Sequence, residues 1–472
     1  MTDVTTDGFG LLIDGQRVDA PGTFDVINPA TGQVLAGAPD CSRDQLDEAM
    51  AAAERAQREW RDDEPARRKA LEDAANLLFA NHEEIAPLLV AEQGKPLQAA
   101  KEEILGAGVW FKYYANLELE PEVIQDDDKA YAEVVRRPMG VVAAITPWNF
   151  PVILSSWKVA PALRAGNTVV LKPSPFTPLS TLKVAELLSE VLPPGVFNAV
   201  SGGDELGAWM TSHPTPRKIS FTGSVATGKK VAAAAAPDLK RVTLELGGND
   251  PAIVLPDADV EQVAAKLFWG AFANSGQVCS AIKRVYAPQD VADDLAEALA
   301  EQARTVKVGD GMDPESRLGP VNNRPQLDRV RELVEDAVAA GGRVVAGGGT
   351  DERPGYFFSP TIIAGLSDGS RLVDEEQFGP ALPVIAYDEI EDAVARANGT
   401  HFGLSASVWS SDPERARAVA DRLECGTVWI NSHLVLQPHQ PFGGVKWSGV
   451  GVENGPWGLA GFTETQVQYQ AR

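Results

Sequence analysis

Cysteine is scarce. Cys41, Cys279 and Cys425 are the only three in 472 residues, and none stands in C-x-x-C spacing. So sparse and odd a set argues against a disulfide framework and a cysteine-rich metal site, and no metal is expected. Basic residues are outnumbered, 42 Lys and Arg against 66 Asp and Glu, for a formal net charge of −24. Neutralising phosphates takes clustered Lys and Arg, so neither nucleic acid nor a membrane surface is an expected partner. No apolar run approaches the roughly 18 residues that a membrane helix needs. The opening MTDVTTDGFG lacks the basic and apolar regions of a secretory signal, so a cytoplasmic location is expected. Histidine is also rare: His82, His213, His401, His433 and His439. None reads as a neighbour of a nucleophile-like element, which weighs against a Cys–His pair and toward a carboxylate base.

What is present is ordinary for a globular chain, with 44% hydrophobic and 23% charged residues. At about 150 residues per domain the length suits two or three domains. Ser42 and Gln45 form a capping-box pattern ahead of an alanine-rich helix to Trp60. Further helices are expected from about Ala66 to Gln93 and from Pro96 to Leu117, all three read as long surface helices. Short apolar strands follow at Val141–Ile145, Asn167–Leu171, Val196–Val200, Lys218–Thr222 and Val242–Glu245. Helical stretches such as Pro178–Leu192 and Gly228–Ala235 lie between them. Alternation of this kind predicts a parallel sheet covered on both faces. A second such series runs from Ala252–Leu255 through a helix over Val260–Ala273 to Ser405–Trp409 and Thr427–Ile430. The fold class expected is therefore α/β, with two doubly wound domains. Tyr131–Arg137, polar and alternating, is a strand that lies outside either.

Cys279 sits in Asn274-Ser275-Gly276-Gln277-Val278-Cys279-Ser280, a glycine-containing turn directly after a helix, which suits presenting a side chain into a cleft. A thiol is a strong nucleophile only as thiolate, so it needs a base or a lowered pKa. Glu245 closes a strand and precedes Leu246-Gly247-Gly248, where missing side chains admit a close approach. Pro147-Trp148-Asn149-Phe150-Pro151 follows a strand, at the sheet end where open α/β folds bind ligands. Asn149 there offers a side-chain N–H to a developing oxyanion. Each feature alone has a plain structural reading: a buried cysteine, a strand-end carboxylate, a loop-capping asparagine.

Together with Phe221-Thr222-Gly223-Ser224, Glu376-Gln377-Phe378-Gly379-Pro380 and Pro441-Phe442-Gly443-Gly444, these segments resemble the aldehyde dehydrogenase superfamily in identity and order. The resemblance implies that Cys279 attacks an aldehyde, that Asn149 and the Cys279 N–H hold the oxyanion, and that hydride leaves for a nicotinamide. Glu245 then activates water to hydrolyse the thioester. It further implies a cofactor surface of Thr146, Trp148, Lys172, Ser174, Pro175, Gly207, Phe221, Gly223, Ser224, Thr227, Leu246, Glu376 and Phe378. The substrate tunnel would be lined by Phe150, Leu154, Trp157 and Leu436.

NAD is the expected cofactor. Pro175 stands where many NAD-preferring relatives carry a glutamate against the adenosine ribose, which leaves NADP open. Val452 replaces an arginine common among relatives. Trp157 replaces an arginine of some succinate-semialdehyde enzymes and favours an apolar or aromatic aldehyde. Betaine-type or semialdehyde substrates, and a CoA-acylating reaction, are the alternatives.

The resemblance divides the chain into a dinucleotide-binding domain (1–117 and 139–247) and a catalytic domain (248–447). A bridging element (118–138 and 448–472) would support self-association as a dimer or tetramer.

Overall fold

Strands that are apolar on both faces have to be covered on both faces, and that requirement organises the molecule. The structure, a computed structural model, describes residues 8–350 and 353–472; residues 1–7 of the expected first domain and of the opening segment lie outside it. Five parallel strands stand side by side in the order Arg241–Glu245, Lys218–Thr222, Val141–Ile145, Thr168–Lys172 and Phe197–Ala199. The chain starts in the middle at Val141, steps outward through Thr168 and Phe197, then returns to the other side of Val141 at Lys218. The carboxyl ends of Val141–Ile145 and Lys218–Thr222 therefore flank a switch point, where this class of sheet opens a ligand crevice.

Two antiparallel additions were not legible in the sequence. The hairpin Leu11–Ile13 and Gln16–Val18 extends the sheet beyond Phe197–Ala199. At the other edge Gly449–Val450 pairs with Arg241–Glu245, so this short strand joins the first sheet and not the bridging element to which 448–472 was assigned. A separate hairpin joins Gly22–Asn28 to Gln33–Asp40.

The second sheet has seven strands in the order Arg343–Ala346, Thr361–Ala364, Ala381–Tyr387, Ile282–Pro288, Asp250–Val254, Ser405–Trp409 and Thr427–Ile430, parallel except for the first. A third sheet pairs Thr463–Ala471 antiparallel with Ala130–Pro138, which pairs in turn with Glu122–Asp126.

The helix Arg43–Trp60 starts on the capping box expected of it: Ser42 Oγ accepts from Gln45 N and Gln45 Oε1 accepts from Ser42 N, each at 3.2 Å. The next two helices, Glu64–Gln93 and Leu97–Asn116, are not the surface helices expected. The last turn of the first is buried all round from Leu88 to Gln93, and Ile104, Ala107, Trp110, Phe111 and Tyr114 of the second lie in the core against Trp157. Glu92, fully buried, accepts the N–H groups of Leu179 at 2.7 Å and Ser180 at 2.8 Å. It thereby caps the helix Leu179–Leu188, shorter at both ends than the Pro178–Leu192 expected. No helix among the described residues is long and apolar enough to cross a membrane.

Candidate active site

The crevice at the switch point opens into a cavity of about 190 Å³. Asn149, Cys279, Trp148, Leu154, Gly223, Ser224, Leu246, Glu376 and Phe378, all picked out in the sequence, line it together with Pro147, Thr222, Gly247, Gln326 and Arg329. The segments that follow Val141–Ile145 and Lys218–Thr222 thus meet the Cys279 turn, the Glu376 loop and the helix Arg324–Ala339 in one space.

The nucleophile turn is held in an uncommon backbone. After the helix Val260–Phe272 come three consecutive left-handed residues, Asn274, Ser275 and Gly276, with φ of 49°, 56° and 73°. Such conformations persist only where surrounding contacts over-determine them. Here Ser275 Oγ donates to Gly319 O at 2.7 Å, Gln277 Nε2 to Asn274 O at 2.8 Å, and Asn274 Nδ2 to Asn149 O at 3.1 Å. At Gly276 a Cβ would fall 2.3 Å from Gly379 O, so glycine is required. His433 also reaches this turn, its Nε2 bonding Ser280 O at 2.7 Å. The sequence placed no histidine near the nucleophile. Burial drives the His433 ring down to about 3, so it is a neutral strut.

Cys279 is enclosed by like charge. Burial first, then Glu245, Asp250 and Glu376, push its thiol up to about 12 against the opposing pull of Lys283. Asn149, 2% exposed, donates one Nδ2 hydrogen to Gln277 O at 3.0 Å. A carboxamide carries two such hydrogens, so the bond orients the group and leaves one for an oxyanion. The loop around Asn149 rests on a buried ion pair that the sequence reading missed. Lys95 Nζ lies 2.5 Å from Glu103 Oε2, 2.9 Å from Asn149 O and 3.8 Å from the centre of the Phe150 ring. Glu103 accepts from Val152 N at 2.9 Å and Ile153 N at 3.3 Å, capping the helix Pro151–Arg164 directly after the loop.

Both oxygens of Glu245 are buried and have no hydrogen-bond partner among the described residues. Burial, and after it the charge of Glu453, hold this carboxyl well above its ordinary range, while Lys158 opposes them. Lys158 Nζ lies 2.5 Å from Glu453 Oε1, and Ser220 Oγ donates to the same oxygen at 3.2 Å. Lys158 and Glu453 were not picked out in the sequence. The available signal was a lysine in the middle of the largely apolar helix Pro151–Arg164 and a glutamate within Gly449-Val450-Gly451-Val452-Glu453.

The cleft suits a dinucleotide. Ser224 caps the helix Val225–Ala235, accepting from Thr227 N at 3.2 Å, which leaves the Val225 and Ala226 amides at a helix N-terminus that favours phosphate. Thr227 is exposed in that first turn, while Thr146 and Phe221 are buried at the ends of the flanking strands. Glu376 Oε1 accepts from Gly248 N at 3.0 Å, and a Cβ on Gly247 would collide with its other oxygen. Gln326, also missed, donates to Gln377 O at 2.7 Å and Phe378 O at 3.0 Å. Lys172, Ser174, Pro175 and Gly207 lie one strand over, outside the cavity. Lys172 and Gly207 adjoin, and burial brings the ammonium down to about 8. A Cβ on Gly207 would touch only Lys172 Cε, at 3.9 Å, so the fold itself does not demand this glycine.

Leu154, Trp157, Phe150, Leu436 and Cys279 share one apolar cluster. Trp157 stacks on Trp110 at 5.5 Å and meets Phe442 edge-on at 5.6 Å. Of the four residues expected to line a substrate tunnel only Leu154 lines this cavity; Trp157 is buried against Trp110 and Phe442.

The family model "Aldehyde dehydrogenase family" matches residues 17–468. Over 464 residues the chain is 40% identical to the protein named "Putative aldehyde dehydrogenase FUS7" of Gibberella fujikuroi, covering 98% of this chain and 99% of that protein. It is 41% identical to a betaine aldehyde dehydrogenase of Sinorhizobium fredii, covering 97% and 96%. The NAD+ complex of an aldehyde dehydrogenase from Bacillus cereus superposes with a TM-score of 0.96 at 37% identity, covering 98% of this chain and 97% of that one. The chain belongs to the aldehyde dehydrogenase family.

Proposed function

We propose that this enzyme oxidises an apolar or aromatic aldehyde to its carboxylic acid, with Cys279 as nucleophile and Glu245 as the base that admits water. The observation that carries this reading is the convergence of Cys279 and the half-free Asn149 amide in one cavity, with the unpartnered Glu245 carboxylate beside the thiol. Ionised Glu245 accepts the thiol proton, and the thiolate adds to the carbonyl carbon. Asn149 Nδ2 and the Cys279 N–H meet the oxyanion. NAD, when bound, would supply the acceptor for the hydride that this carbon gives up. Glu245, once its first proton has passed to solvent, draws a proton from water, which attacks the thioester; the expelled thiolate takes that proton back as the acid leaves. Relatives that pass the acyl group to CoA typically lack the carboxylate at this position, so its presence favours hydrolysis.

The helix Val225–Ala235 and Glu376 hold the cofactor's pyrophosphate and nicotinamide ribose in this reading, and Lys172 its adenosine ribose. Pro175 offers the adenosine ribose neither a hydrogen bond nor a repelling charge, so NADP is accepted as well. The division into dinucleotide-binding, catalytic and bridging parts belongs to the same proposal. So does self-association through the third sheet, whose edge strand Thr463–Ala471 exposes Val467 and Tyr469.

Leu154 in the cavity wall, and the apolar cluster that Phe150, Trp157 and Leu436 share with Cys279, support an apolar substrate. A quaternary ammonium aldehyde is the second reading, favoured by relatives named betaine aldehyde dehydrogenases. The test is reduced-cofactor absorbance without CoA, using NAD or NADP with benzaldehyde, phenylacetaldehyde, hexanal, betaine aldehyde and succinate semialdehyde. Turnover of the apolar members carries the proposal. Turnover confined to betaine aldehyde carries the second reading, and turnover only with CoA overturns hydrolysis.

A further inference from the structure

Lys283, second in the strand Ile282–Pro288, has no part in the reaction as described, yet it is 1% exposed. Its ammonium turns back beneath the nucleophile. Nζ donates to Val278 O at 3.1 Å and Cys279 O at 2.5 Å, and lies 3.6 Å from Glu376 Oε1. Ala281 O lies at 3.5 Å as a third acceptor, and a buried ammonium is a costly donor for backbone carbonyls alone.

The charged groups facing Cys279 explain it. Glu245 ends the strand Arg241–Glu245, Asp250 begins Asp250–Val254, and Glu376 projects from the loop after Glu375. All three are carboxylates, and Lys283 is the cation that acts on the thiol together with them. His433, bonded to Ser280 O, is neutral and adds no charge. Burial raises all three carboxyls, so the negative charge they set around the sulfur grows with pH and holds it protonated and unreactive, and a nearby ammonium opposes it.

Resting on the reading of Cys279 as nucleophile, we propose that Lys283 is the positioning residue that makes this sulfur reactive. It pins the Val278 and Cys279 carbonyls and sets a positive charge against Glu245, Asp250 and Glu376. The charge, not the hydrogen bonds alone, is what the site requires.

Iodoacetamide alkylation of Cys279, followed from pH 6 to 10 by peptide mass spectrometry in the absence of substrate, tests this without recourse to turnover. Lys283→Gln keeps an N–H donor and removes the charge, Lys283→Met removes both, and Lys283→Arg keeps both. Thermal melts confirm that each variant is folded. The Gln and Met variants should alkylate at least about tenfold more slowly at pH 8, their pH–rate curves displaced upward by about one unit. The Arg variant should follow the native protein. A Gln variant that matches the native curve overturns the electrostatic role and leaves a backbone strut. Native protein alkylated at Cys41 or Cys425 but not at Cys279 overturns the nucleophile reading instead, and this proposal with it.

Discussion

Glu245 and Glu453 are two buried carboxylates that depend on one ammonium, that of Lys158, which lies 2.5 Å from Glu453 Oε1, while neither oxygen of Glu245 has a partner among the described residues. Burial and the charge of Glu453 favour its protonated form while Lys158 favours the ionised one, opposing pulls on a group that must both take and give protons.

The folded protein therefore carries a stability term with a defined sign. Glu245 has a pKa raised above its ordinary 4.5, so the native state holds a proton that the unfolded state releases. Stability from this group is intact below pH 4.5 and is lost as pH rises through the folded value. Glu245→Gln should thus melt above the native protein at pH 8, with the gap closing toward pH 4.5. Melting curves that stay parallel across this range would contradict the raised carboxyl.

Lys95 and Glu103 support Asn149 from behind. Lys95→Met strands a buried carboxylate and releases the Asn149 carbonyl, so a loss of about 3–5 kcal/mol of stability is expected. A fall in kcat larger than any rise in KM should accompany it. The double variant Lys95→Met, Glu103→Met should recover stability in denaturant titrations without recovering kcat. Joint recovery of both would show that the pair serves the fold alone.

Asn149→Ala removes one oxyanion donor. The barrier should rise by about 2.7–4 kcal/mol, seen mainly in kcat. A change confined to KM would assign Asn149 to substrate binding instead.

Pro175→Glu places a carboxylate beside Lys172 at the adenosine end of the cleft. The ratio of kcat/KM for NAD over that for NADP should rise at least about tenfold, through repulsion of the 2′-phosphate. An unchanged ratio would place the adenosine ribose elsewhere.

Val141–Ile145 was legible because residues buried on both faces leave an uninterrupted apolar run, and Lys218–Thr222, whose Ile219 and Phe221 are interleaved with polar residues, because strand and helix alternate along this stretch; both are found where expected. The Ser42 and Gln45 cap was legible because both halves of the motif lie within four residues. The exposure of the long helices was not, since alanine-rich sequence suits a buried face as well as a wet one, and only packing against Trp157 and Val152 decides. The site's motifs were visible, but its supports were not. Lys158 and Glu453 are 295 positions apart, and Lys95 meets Asn149 across 54. A lone buried charge shows its meaning only when its partner is in place. His433 failed for the same reason, reaching Ser280 from 153 residues away.

The central claim is a covalent acyl group on Cys279 that waits for water activated by Glu245. Mixing Glu245→Gln enzyme with NAD and the best aldehyde, while following reduced cofactor and intact mass together, tests it most directly. The account predicts a burst of about one reduced cofactor per site followed by a stall, with the acyl mass retained on the peptide bearing Cys279. Sustained turnover at the native rate, or a burst with no mass on Cys279, would contradict it.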